Sequence, residues 1–214
     1  MAGRPWPVNG HARVAFEGLT AKGVNWANVV WVNSSQTAVP TPANVIAAAT
    51  ALYECYDDTF LPLQGKNASL ERCVVNWYGV PGSQVTGAYE EHVVGGSANN
   101  SEVDSLSAVV SWQFPSTWRG GKPRLYLPNL PSEAFADSNR LDSTFITNLA
   151  SAAASFRTAV NGVNVTGFGP CVLVVESFFS ANAPRTSTVA FAITGATVHP
   201  RISSQRRRLG REVP

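Results

Sequence analysis

Two apolar stripes at helical spacing, set far apart in a chain that otherwise reads as strands, limit the fold more than any other feature of this sequence. Val45, Ala48, Ala49, Leu52, Cys55, Tyr56 and Phe60 form the first, and Phe145, Ile146, Leu149, Ala152, Ala153, Phe156 and Val160 the second. Such spacing gives each helix one apolar face. That face needs cover, so each helix is expected to lie on a sheet. The first should start at Pro40-Thr-Pro42, with Thr41 as N-cap and Pro42 in the first turn, and stop at Pro62. Asp142 is the expected cap of the second, over residues 142–160, after a short turn opened by Ser132-Glu133.

Around the helices, runs rich in β-branched and aromatic residues read as strands. They are Arg13 to Gly18, Trp26 to Val32, Arg72 to Tyr78, Gln84 to Val94, Leu106 to Phe114, Arg124 to Leu127, Val172 to Phe179 and Thr188 to Val198. The stretch 95–101 is the most loop-like interior segment. Each half, 11–95 and 105–200, therefore reads strand–strand–helix–strand–strand, without repeating its residue identities. The expected fold is α+β: a mostly antiparallel sheet of about eight strands with two helices packed on it. A β-sandwich or jelly roll with inserted helices is the alternative. A single domain over 11–200 would be flanked by an N-terminal arm, 1–10, kept extended by Pro5 and Pro7, and by a C-terminal arm, 201–214.

The C-terminal arm carries the strongest charge signal. Five of the thirteen arginines are Arg201, Arg206, Arg207, Arg208 and Arg211. With Glu212, the arm contributes +4, so the chain's net +2 leaves −2 for residues 1–200. Lysine is confined to Lys22, Lys66 and Lys122. A GC-rich genome would account for arginine in the body, but not for its clustering at one end. Over the whole chain charge is sparse: 14% of residues are charged, against about 25% in a typical soluble domain. A surface of Ser, Thr, Asn and Gly suits a subunit covered by neighbours, or an extracellular β-protein, better than a highly soluble enzyme.

Cys55, Cys73 and Cys171 lie far apart, without a CxxC pair, and read as small buried hydrophobes. The opening residues lack the apolar core of a signal peptide, and no apolar run reaches the length of a membrane span. No membrane partner is expected, and the sequons at Asn33, Asn67, Asn99 and Asn164 are read as coincidental in a chain rich in Ser, Thr and Asn.

The search for catalytic chemistry finds little. There is no phosphate loop, and Gly167-Phe-Gly169 lacks the third glycine of a dinucleotide fingerprint. Neither G-x-S-x-G nor H-E-x-x-H occurs. His11, His92 and His199 stand singly. In a strand, Glu90 and His92 would share a face, and a solvated strand face is the plainer reading of Glu90-Glu91-His92. Asp57-Asp58 ends the first helix against an unfavourable dipole and reads as an exposed helix end. No catalytic residue, cofactor or metal ligand is assigned.

Aromatic residues carry more surface signal. Trp26 and Trp31 differ by an odd number, so one is expected on an outer or interface face, whereas Trp77 and Trp112 read as core. The segment from Trp118 to Tyr126 mixes Arg119, Lys122 and Arg124 with aromatic rings. Such a loop either stacks a base beside a phosphate or, the reading preferred for a slightly negative body, pairs with carboxylates between subunits.

A guanidinium cluster cannot bury itself without partners, so the arm is expected to point to a neighbouring subunit, with nucleic acid as a weaker second partner. The segment Arg119-Gly-Gly-Lys-Pro-Arg-Leu-Tyr-Leu-Pro-Asn-Leu130, the Ala-rich helix and paired strands after it, and the closing Ser-Gln-Arg-Arg-Arg208 resemble small uncharacterised bacteriophage proteins, components of the virion. The resemblance covers roughly residues 105–210 and brings no catalytic residues. It implies a non-enzymatic virion protein, a self-assembling coat or particle-associated subunit whose partners are its own copies and other virion proteins. The contacts would fall on Arg201, Arg206, Arg207, Arg208, Arg211, Arg119, Lys122 and Arg124. The alternatives are a carbohydrate- or cell-surface-binding β-module, and a small hydrolase whose triad is assembled only in the fold.

Overall fold

Asp142 and Thr41 start the helices as their chemistry dictates. In a computed structural model, Asp142 Oδ1 accepts hydrogen bonds from the backbone N–H of Thr144 (2.8 Å) and Phe145 (3.1 Å), and the second helix, α2, runs Ser143–Gly162. Thr41 Oγ1 accepts from the N–H of Asn44 at 3.3 Å, and the first helix, α1, runs Pro42–Thr59. Pro62 follows in a 3-10 turn, Leu61–Leu63. The described residues are 11–19, 23, 25–33, 40–65, 68–78, 84–95, 107–113, 124–127, 130–137, 140–162, 171–178, 187–194 and 197–201. Beyond residue 160 the description is of backbone alone. The expected arms 1–10 and 201–214, except Arg201, which closes a strand, most of the loop 95–101, Trp6 and Trp118 lie outside it.

The strands are β1 (His11–Leu19), β2 (Asn25–Asn33), β3 (Ser69–Tyr78), β4 (Gln84–Val94), β5 (Ser107–Gln113), β6 (Arg124–Leu127), β7 (Phe135–Asp137), β8 (Arg140–Leu141), β9 (Cys171–Phe178), β10 (Ser187–Thr194) and β11 (Thr197–Arg201). Instead of one sheet they form an antiparallel sheet of order β2-β1-β3-β4, a second of order β11-β10-β9-β5-β6, and the hairpin β7-β8. The segment read as one strand, Thr188 to Val198, is two: β10 and β11 pair antiparallel, with Thr194 opposite Thr197. The hairpin β7-β8 had no forecast, being too short to show a period.

The two main sheets share a plan. In residues 11–94 the strands lie second–first–third–fourth, with α1 between the second and the third. In residues 107–194 β6, β5, β9 and β10 lie in the same order, with α2 in the same place. β2 and β6 are the corresponding edges, and they face each other through one side chain. Buried Asn28 (2% exposed) of β2 accepts from the N–H of Tyr126 in β6 at 2.7 Å and donates through Nδ2 to the carbonyl oxygen of the same residue. Its amide takes the place that a strand's peptide group would fill.

Both helices and both sheets share one core. Tyr56 of α1 packs against Phe16, Trp26 and Phe60, and Phe156 of α2 meets Phe16, Phe60 and Trp112 at centroid separations of 5.2–6.1 Å. Trp26, Trp77 and Trp112 are all buried. Trp31 lies outside the residues whose surroundings are described. The buried stripe of α1 includes Tyr53, and Cys55 sits only half-buried beside it. At about 1.5–3 kcal/mol for each large apolar side chain buried, these aromatics are a major part of what holds the halves together.

Candidate functional site

Of the basic residues marked out by the sequence, the two that are described, Arg124 and Arg201, lie apart. Arg124 opens β6, exposed, opposite Ser111 of β5, and Arg201 closes β11, opposite Ala190 of β10. β6 and β11 are the two ends of their sheet. Four strand spacings of about 4.8 Å put them roughly 19 Å apart. Arg119, Lys122, Arg206, Arg207, Arg208 and Arg211 lie outside the described residues.

The structure does assemble a group of acidic residues where α1 crosses β4. The helix lies close because Gly87 has no side chain: a Cβ there would come within 2.7 Å of the backbone of Val45 and Ile46. This close approach sets the last turns of α1, with Glu54, Asp57 and Asp58, over the second half of β4, with Tyr89, Glu90, Glu91 and His92. β4 carries a bulge there, since Leu70 pairs with Val93 but Arg72 with Glu90. Buried Tyr53 bridges the irregularity, its hydroxyl 3.0 Å from the carbonyl oxygen of Leu70 and in contact with that of Glu91.

The cluster is electrostatically unbalanced. Asp57 is held above the usual carboxylate range, first by partial burial and then by the charges of Asp58 and Glu91. Tyr53 is pushed well above an ordinary phenol by burial, then by Glu91 and Asp57. Tyr89 donates to Glu91 Oε2 at 2.9 Å and is raised by that bond and by the charge of Glu91. The neighbouring acids have partners: Arg72 Nε lies 3.0 Å from Glu90 Oε1 and its Nη1 4.0 Å from Glu17, while His92 Nδ1 lies 3.4 Å from Glu71 Oε1. Among the described residues no ion pair forms on Glu54, Asp57, Asp58 or Glu91. Glu90, Glu91 and His92 are exposed, as a solvated strand face requires.

Sequence reading treated Asp57-Asp58 and Glu90-Glu91 as two unrelated surface pairs. The signal was the unfavourable position of Asp57-Asp58 at a helix C-terminus. Its partner became visible only once β4 lay beneath the helix.

No described group of three or more His, Cys, Asp or Glu is placed to hold a metal ion. Burial pushes the Cys55 thiol up to about 11 and the Cys73 thiol higher still, so both stay protonated at neutral pH. No described helix is long and apolar enough to cross a membrane. Comparison with protein-family models, with curated proteins and with solved structures returned no match.

Proposed function

We propose that this chain is a non-enzymatic structural subunit of a virion, a self-assembling coat or particle-associated protein whose terminal arms make contacts between subunits. The observation that carries the reading is the uneven charge: five arginines within residues 201–211, on a body of net −2 with a sparsely charged surface. The rest of the proposal is an α+β body with extended arms at 1–10 and 201–214. Charge-assisted, often bidentate arginine contacts offset the chain entropy lost when an arm is ordered on a neighbour.

Light scattering and negative-stain microscopy of the purified chain across a concentration series test this reading. Rings, shells or tubes are expected, and association should weaken as salt rises, because the contacts are between charges. A chain that remains a monomer at high concentration in low and moderate salt would sink it. Deleting residues 202–214 is expected to abolish assembly while leaving the circular dichroism of the folded domain unchanged.

A further inference from the structure

The shared plan of the two sheets exposes a difference between them. Beside β10 the chain lays an antiparallel strand, β11. Beside β4, which holds the corresponding place in residues 11–94, no described strand is laid. β4 is also the longest described strand, eleven residues against five in β11. An edge of that length, unpaired among the described residues, presents a row of backbone N–H and C=O groups ready to pair with another chain.

Charge identifies the occupant. Glu54, Asp57, Asp58 and Glu91 stand over and along β4, and no described cation pairs with them. β11 ends at Arg201 and leads directly into Arg206, Arg207, Arg208 and Arg211. We propose that the edge of β4, unpaired among the described residues, accepts residues 202–211 of a second copy of this chain, laid alongside as an added strand with its guanidinium groups on Glu54, Asp57, Asp58 and Glu91. The arm is assigned to another copy because the self-assembly reading needs a donor and an acceptor on every subunit, and an arm passed to the neighbour's β4 supplies both. A donor arm meeting an acceptor edge is a head-to-tail contact, which closes into rings or continues into larger assemblies. The inference rests on the self-assembly reading above and names the surface that reading requires.

A charge-swap experiment on the full chain tests it, with assembly followed by sedimentation velocity. The acceptor variant is Asp58→Lys with Glu91→Lys, and the donor variant is Arg206→Glu with Arg207→Glu and Arg208→Glu. Each alone should weaken association by roughly tenfold or more. The chain carrying all five changes should recover most of that loss, since opposite charges again face each other. Loss in both single sets with recovery in the combination supports the contact. Loss without recovery overturns it, because arm and edge then act separately. An acceptor variant that assembles like the parent also overturns it, while leaving self-assembly through another surface intact. A parent chain that never associates removes both readings. If lysine at these positions disturbs folding, Asp58→Asn with Glu91→Gln replaces it: the proposal then requires weaker association and a shallower dependence on salt, and unchanged values of both overturn it.

Discussion

Asn28 shows how much one polar side chain can organise. It is buried in a strand, where an amide is costly without partners, and it finds three: the N–H and carbonyl of Tyr126 and the hydroxyl of Tyr56 at 3.3 Å. Asn28→Leu keeps approximate volume but strands those groups, and should destabilise the fold by about 1–3 kcal/mol in urea unfolding. Asn28→Asp should also be harmful, since a carboxylate accepts from Tyr126 but cannot donate to its carbonyl. A stability unchanged by either substitution would mean that Asn28 does not join the sheets. Tyr53→Phe, by removing the hydroxyl that bridges the carbonyls of Leu70 and Glu91, is expected to cost about 1 kcal/mol. Neither role was legible in the sequence. Asn28 and Tyr53 act on residues far along the chain, and nothing local to them reveals those partners.

The starts of the helices were legible, because caps are local chemistry. Thr41 and Asp142 make the bonds their positions require. The break between β10 and β11 was local too: Gly195-Ala196 separates two apolar runs, and a Gly-X pair is a two-residue hairpin signal. The β-prone residues on both sides of that pair mask the signal. Two carboxylates at the helices give opposite dependences on pH. The pKa of Asp57 is raised in the fold, so its contribution favours the fold at acid pH and is lost as pH rises through its folded value. Asp57→Asn should therefore stabilise at neutral pH, by no more than about 0.5 kcal/mol for a mostly solvated group, and make no difference near pH 3. Asp142 is lowered, chiefly by the hydrogen bond from Phe145, so its contribution is present above the usual carboxylate pKa and fades as pH falls through its folded value. Asp142→Asn keeps a capping oxygen and should flatten the acid side of the stability profile. Thermal melts from pH 2 to 7 on both variants check the two signs together.

At the scale of the whole molecule, the stripes in the sequence foretold helices on sheets but not the division into two sheets of matching order. Strand order depends on which segments meet across long separations, and neither period nor composition carries that. The same holds for the acidic edge at β4, built from residues more than thirty positions apart on two elements. What makes the two sheets one folding unit is the aromatic cluster between them, and Phe156 is its centre. It touches Phe16 of the first sheet, Trp112 of the second and Phe60 after α1. Phe156→Ala opens a cavity bounded by both halves and should destabilise by about 3–5 kcal/mol. Because the core is shared, the loss should move the whole unfolding transition. Tryptophan fluorescence, to which both sheets contribute through Trp26 and Trp77 in one and Trp112 in the other, and far-ultraviolet circular dichroism should then shift by the same amount and stay coincident. Two separated transitions in the variant, one displaced and one at the parental midpoint, would show instead that each ββαββ half folds around a core of its own.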